Sequence, residues 1–253
     1  MKNQKVNRFY DSIADDYDRM ISFKKRLDIE EPKFRNLVEK YSITSALDAG
    51  AGSGFHSVLL ARCGVNVTAV DVSEKMLSKL QENAHIWNIP VKTLRSDFLK
   101  LHIPNTSFDA VFCLGNSLVH LTTNVNLKRA ISNFAKHLRP GGTIIIQTLN
   151  YDRILKHKNR IQSIRKSENN LFIRYYEFHK RNIFFNILNI NTETLAHDLN
   201  TAVIKPIMSP DIKNILKKSG FKNIKCHSDL TLKPFSKLAS QDTVLTAIKA
   251  ISG

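Results

Sequence analysis

The stretch that most constrains this chain is an apolar run around Asp48 that breaks into Gly50-x-Gly52-x-Gly54, followed by a second apolar run ending in Asp71. Glycines at alternate positions let the backbone turn sharply after a buried strand and approach a ligand closely. The helix that follows offers unpaired N–H groups at its N-terminus. An acid at the end of the next strand stands where it can accept hydrogen bonds from both hydroxyls of a ribose. Strand, glycine turn, helix and strand predict a βαβ unit, and with it a parallel sheet whose ligand lies beyond the carboxyl ends of the strands.

The glycine spacing bears on which ligand that is. Dinucleotide folds use G-x-G-x-x-G, because a pyrophosphate needs the second glycine close and the helix N-terminus unopposed by negative charge. Here the third glycine comes one residue early, and Asp48 lies in the strand just before the loop. An acid there repels a pyrophosphate but suits a cationic ligand with an ammonium group, as S-adenosylmethionine has. The glycines alone are also compatible with a plain strand-to-helix turn.

At 253 residues the chain is long enough for one sizeable α/β domain with an insertion or small lid. The opening Met-Lys-Asn-Gln-Lys is polar, with no apolar core of a secretion signal, and no run is long enough to span a bilayer. Cys63, Cys113 and Cys226 are odd in number, widely separated and in no metal-binding pattern, so a reduced, cytoplasmic setting and no metal site are expected. The formal charge is +16, and the C-terminal part, above all 153–181, carries most of the excess. Such a face can draw in an anionic small molecule or RNA, or simply be solvated.

Helical spacing predicts helices over 9–20 and 26–41. Strands follow at 46–49, 65–70, 91–95, 109–114 and 143–148, with helices from Phe55, from Ser73 to His85 and over 126–137. After residue 150 three extended segments, 170–178, 182–190 and 194–207, read as an antiparallel layer without intervening helices. Ser209-Pro210 then opens a helix, with Ser209 as its N-cap, that stops at Gly220 before two last strands, 221–227 and 243–250. The expected architecture is α/β: a doubly wound, mostly parallel, seven-stranded Rossmann-like sheet with an inserted antiparallel β layer. Its parts are a helical cap (1–42), a ligand-binding domain (43–150 and 208–253) and a substrate or lid insertion (151–207).

With these elements in place the chain resembles the class I S-adenosylmethionine-dependent methyltransferases over nearly its whole length. Asp48-Ala-Gly-Ala-Gly-Ser-Gly54 is similar to that family's first motif, Asp71 to its ribose acid, and Leu138-Arg-Pro-Gly-Gly142 to the turn before its fifth strand. The resemblance implies that Asp97 of Ser96-Asp97-Phe98 binds the adenine amino group beside Phe98. It also implies that Tyr17 and Arg26, from the opening helical region, reach the methionine end. Val72, Met76 and Leu114 complete the expected cofactor set. A narrower likeness, to the glycine and sarcosine N-methyltransferases, is carried by Cys113-Leu-Gly-Asn-Ser-Leu-Val-His-Leu121 and Asn150-Tyr-Asp-Arg-Ile-Leu155. One position departs from it. Where the glycine enzymes place an arginine to clamp the substrate carboxylate, this chain has Leu149, which cannot form a bidentate pair; Arg153 or Arg174 is the candidate replacement.

Methyl transfer from a sulfonium is an in-line displacement, so the protein must mainly hold a neutral lone pair in line and exclude water. Asn116 can orient an amine, His120 can accept its proton if it arrives as ammonium, and Tyr151 can hydrogen-bond the substrate. A core role is the alternative for His120. Tyr175, Tyr176, Phe184 and Phe185 are either an aromatic cage for a methylated ammonium or packing residues of the antiparallel layer. The leading expectation is methylation of a small-molecule amine, with an anionic acceptor as one option and a homo-oligomer left open. RNA or protein methylation on the basic C-terminal face and a non-catalytic cofactor- or RNA-binding module are the alternatives.

Overall fold

The computed structural model describes residues 3–104, 106–180 and 182–251, so Arg181, which ends the basic segment, lies outside the described residues. Two helices, α1 (Asn3–Ile21) and α2 (Phe23–Lys40), open the chain. There follow β1 (Ser45–Ala49), α3 (Phe55–Arg62), β2 (Asn66–Asp71), α4 (Glu74–Ile86) and β3 (Val91–Arg95). Next come β4 (Phe108–Cys113), a 3-10 turn (Ser117–His120), α5 (Asn124–Lys136) and β5 (Leu138–Leu149). The second half holds α6 (Tyr151–His157), β6 (Ile161–Ser167), β7 (Asn170–Phe178), β8 (Ile183–Asn191) and β9 (His197–Ile204). It ends with α7 (Ser209–Lys218), β10 (Phe221–His227) and β11 (Asp242–Lys249).

Seven strands form one sheet in the order β10-β11-β5-β4-β1-β2-β3, in which only β11 runs against its neighbours. The chain steps outward from β1 to β3 and then returns to the other side of β1 with β4. This reversal opens a crevice beyond the carboxyl ends of β1 and β4. Both central strands are covered on two faces, which is why Leu47, Ala110, Val111 and Phe112 are all fully buried and the strands read as near-continuous apolar runs.

Asp109 staples the opposite edge of this core. Its carboxylate accepts from the backbone N–H groups of Thr44 and Ser45, from the Thr44 hydroxyl and from Arg139 Nε at 2.6–2.9 Å. Burial alone would raise its pKa, but these donors outweigh it and hold the group well below the usual carboxylate range. Asp109→Ala is expected to cost about 2–3 kcal/mol of unfolding free energy at pH 7. Because the folded-state pKa is depressed, the wild-type advantage is present at neutral pH and is lost progressively as pH falls below about 4. Chemical denaturation at pH 7 and at low pH checks both the size and the sign.

The antiparallel layer is a separate four-stranded sheet, β6-β7-β8-β9, rather than three strands. The extra strand, β6, is an edge strand with only Ile161 and Ile164 as apolar residues, both exposed, so it carries no burial pattern to betray it. Helix α6 was also unexpected in this segment; the Asn150 side chain caps it by accepting from Arg153 N. The N-cap of α7 is Met208 rather than Ser209, which is already helical, so the helix starts one position earlier than its Ser-Pro signal implies. Helix α1 ties the two sheets together. It donates from Ser12 to Asn200 of β9, accepts at Asp16 from Asn189 of β8, and meets α4 where Asp18 accepts from Asn83. Among the described residues no helix is long and apolar enough to cross a membrane.

Candidate functional site

The loop after β1 is built to approach a ligand. Gly50 and Gly52 both hold positive φ, at 82° and 55°. A Cβ at Gly50 would stand 2.7 Å from Ser117 Oγ, whereas one at Gly52 would meet only Tyr17, at 3.9 Å, and would project into the space beneath that ring. Asp71 fixes the loop from below, its Oδ2 accepting from Gly52 N and its Oδ1 from Ser73 N, each at 2.9 Å. Burial raises its pKa, while these backbone donors and that of Val72 pull the other way.

Above the loop lies a cavity of about 240 Å³. Tyr17, Arg26, Gly50, Gly52, Asp71, Val72, Ser96, Asp97, Phe98 and Leu114, all expected at a cofactor, line it together. Asp97 also accepts from Leu99 N at 2.9 Å, and Phe98 is braced edge-on by Phe134. Arg26 stacks over the Phe55 ring with its Nε on Glu30.

Three expected cofactor residues sit behind this wall. Asp48 is 1% exposed, accepts from Ser57 Oγ at 2.6 Å, and has its carboxyl pushed up to about 7, first by burial. Gly54 caps α3 with φ at 90°, and a Cβ there would strike Leu80 of α4 at 2.5 Å, so its role is to let two helices meet. Met76 is fully buried in the core and its backbone N–H caps onto Ser73.

A second cavity, of about 230 Å³, lies against the first. Tyr10, Tyr17, Arg26, Gly115, His120, Gln147 and Arg174 line both, so they form the wall between them. The rest of the second cavity is largely apolar, with Phe9, Ile13, Met20, Leu149, Ile187 and Ile204 beside Asn116, Tyr176, Phe185 and Asp242. Tyr176 and Phe185 face it, while Tyr175 and Phe184, on the other side of the pleat, do not line it.

The residues expected to do chemistry are arranged unevenly. His120 lies on the shared wall with Nε2 2.8 Å from the Tyr10 hydroxyl; burial draws its pKa down to about 4, so the ring is neutral and a weak base. Asn116 reaches the second cavity, but its side chain is committed: Oδ1 accepts from Leu149 N at 3.0 Å and Nδ2 donates to Tyr151 Oη at 2.8 Å. Tyr151 is only 1% exposed and lines neither cavity, because Asn116 holds its hydroxyl inside the core. Arg153 points away to Gln241, outside both cavities. Arg174, by contrast, enters both. Its Nε donates to Ser163 Oγ at 2.6 Å, its pKa is lowered first by burial and then by Arg165, and no carboxylate among the described residues pairs with it.

Sequence reasoning did not single out Tyr10, His56, Gln147 or Asp242, which also line the cavities. Tyr10 carried a signal, since it lies seven residues, two helical turns, before Tyr17 and shares its face. Asp242 carried none, because only the pairing of β11 with β5 brings it here.

Known proteins resemble this chain in sequence and in fold. Residues 46–142 match the family described as a methyltransferase domain. The chain is 34% identical over 153 residues to a glycine/sarcosine N-methyltransferase of Halorhodospira halochloris, covering 60% of this chain and 57% of that one. It is likewise 34% identical over 151 residues to the glycine/sarcosine N-methyltransferase of Aphanothece halophytica, covering 59% and 57%. The chain thus spans a little over half the length of these relatives. Its fold matches a crystal structure of an S-adenosylmethionine-dependent methyltransferase from Clostridium acetobutylicum with a TM-score of 0.79 at 19% identity, covering 96% of this chain and 99% of that one.

Proposed function

We propose that this chain, which carries a methyltransferase domain in a class I Rossmann-like fold, transfers the methyl group of S-adenosylmethionine to the amine nitrogen of a small molecule that also bears an anionic group. The observation that carries this reading is the pair of abutting cavities with one shared wall. One is shaped for a nucleoside, with an acid at the end of β2 and another after β3. The other is largely apolar, with Arg174 as a cation that no carboxylate among the described residues pairs.

The residues present fit the cofactor. Gly52 leaves room for close backbone approach, Gly50 lets Ser117 and Phe98 pack against the loop, Asp71 stands at the ribose, and Asp97 with Phe98 stands at the base. When bound, the cofactor supplies an activated methyl group. The chain's own part is to bind, orient and exclude water. Tyr17 and Arg26 close the methionine end from α1 and α2 respectively. The Tyr10–His120 pair stiffens the wall through which the methyl passes, and neutral His120 adds no charge to repel a sulfonium. Helix α1, fastened to β8 and β9, shields the site from solvent.

Arg174 supports the anionic part of the reading. Arg26 is paired with Glu30 and Arg165 donates to Ser22, which leaves Arg174 as the cation on this wall without a carboxylate partner among the described residues. It stands on β7, whereas the carboxylate clamp expected from the glycine enzymes would stand at Leu149. The walls of the second cavity include Phe9, Ile13, Met20 and Ile187, which suit an acceptor with more apolar body than glycine.

Asn116 is a positioning residue in this scheme. Asn116→Ala is expected to lower turnover far more than cofactor affinity, and to cost about 1–3 kcal/mol of stability by stranding the buried Tyr151 hydroxyl and Leu149 N–H. Steady-state kinetics beside cofactor titration separates the two; equal losses in both would move Asn116 into the cofactor site. The function itself is tested by S-adenosylhomocysteine release from purified protein given S-adenosylmethionine and a panel of glycine, sarcosine, larger amino acids, phosphorylated amines, uncharged amines and total RNA. Turnover on an anionic amine larger than glycine is expected. Turnover on RNA alone would overturn the reading.

A further inference from the structure

We propose that Asp242 receives the acceptor's ammonium group and takes its proton before methyl transfer, an inference that rests on the amine-methylation reading above. Asp242 opens β11 and is held opposite Leu149 by the β5–β11 ladder, while the carbonyl of the preceding residue accepts from Asn150 N at 2.9 Å. Its Oδ2 accepts from Gln147 Nε2 at 2.9 Å. The other end of that amide, Oε1, accepts from Gly115 N at 3.4 Å, so Gln147 is oriented from both sides. Gln147 and Gly115 belong to the wall shared by the two cavities, and Asp242 lines the acceptor cavity. The carboxylate is therefore one hydrogen bond away from the wall that the methyl group must cross.

Gln147 does not explain the acid. A neutral amide at position 242 would accept from Gln147 equally well without drawing a charge out of water. Nor does His120 make it redundant, because that imidazole is a weak base engaged by Tyr10. The groups that bear on Asp242 come from every side. Arg26 and Glu30 reach it from α2 and Asp229 from the loop after β10, while Arg174, Tyr176 and His120 face the same cavity. Burial, with Glu30 and Asp229, raises the carboxyl above its ordinary value against the pull of Gln147 and Arg26, which strengthens it as a base.

The step balances simply. The ammonium passes one proton to the Asp242 carboxylate, leaving a neutral amine and a carboxylic acid. The amine lone pair then forms the N–C bond as the C–S bond of the sulfonium methyl donor breaks, and that electron pair goes to sulfur. Arg174 takes the acceptor's anionic group, so cation and anion of one zwitterion are read by opposite charges in a single cavity.

Asp242→Asn tests this and preserves an acceptor for Gln147. On the amine that the wild type turns over, wild-type kcat/KM is expected to stay level across neutral pH. That of the variant should climb about tenfold per pH unit toward the amine's own pKa, because only amine already neutral in solution reacts; the deficit at pH 7 is on the order of 10²-fold. Calorimetry of the same amine with S-adenosylhomocysteine-loaded protein should show pH-independent binding of the ammonium by the wild type and its loss in the variant. Matching profiles in the two proteins would overturn the assignment of Asp242 and leave amine methylation standing. If the wild type turns over no amine, the methylation reading fails and this inference fails with it. Should the variant lose S-adenosylhomocysteine binding through misfolding, the wild-type profile decides, and a unit slope through neutral pH rules the proton acceptor out.

Discussion

Asp71→Ala is expected to abolish measurable binding of S-adenosylmethionine. The carboxylate would hold two ribose hydroxyls, each a hydrogen bond to a charged group, and their loss is worth about 3–5 kcal/mol, on the order of 10²–10⁴-fold in affinity. The same two oxygens also accept from Gly52 N and Ser73 N, so alanine loosens the glycine turn and the start of α4 as well. Asp71→Asn separates the effects, because its single oxygen can keep one backbone bond while the charge is gone. Calorimetric titration should show the alanine variant silent and the asparagine variant weakened, both with the wild-type circular dichroism spectrum. Unchanged affinity in either would remove Asp71 from the ribose.

Arg174→Leu is expected to raise the acceptor KM by roughly 10²–10³-fold, the range for removing one partner of a desolvated charge pair. Its effect on the fold should be the reverse of an ordinary ion-pair deletion. No carboxylate among the described residues pairs with Arg174, and Arg165 lies near enough to lower its pKa. Replacing an unpaired, half-buried cation by an apolar side chain should therefore leave the melting temperature unchanged or raise it. Arg174→Lys keeps the charge but not the planar fork, and should recover only part of the affinity. An unaltered acceptor KM in the leucine variant would remove the anionic group from the acceptor.

The sheet and the cofactor side were legible in the sequence because their signals are local. The apolar runs of β1 and β4, the glycine turn and the acid closing β2 each declare themselves within a few residues. The acceptor side was less legible because it is assembled by tertiary pairing. Tyr151 stands just past the end of β5, after Asn150, and reads as facing the crevice, yet Asn116 turns its hydroxyl into the core. Met76 and Gly54 read as cofactor contacts but serve the packing of α3 and α4 beneath the loop. Asp242 reaches the second cavity only because β11 inserts antiparallel beside β5, ninety-odd residues away along the chain. Strand β6 escaped notice because an edge strand with exposed apolar residues has no burial period to follow.

In the proposed reaction the cavity over Gly50 and Gly52 holds the methyl donor, and the methyl crosses the Tyr10, His120 and Gln147 wall to an acceptor in the second cavity. The most direct test is a crystal structure of the protein with S-adenosylhomocysteine and the acceptor amine that it turns over. The expected result is a ribose on Asp71, sulfur at the shared wall, and the amine nitrogen facing it with the acceptor's anionic group on Arg174. An acceptor bound outside the second cavity, or a sulfur turned away from that wall, would contradict the account.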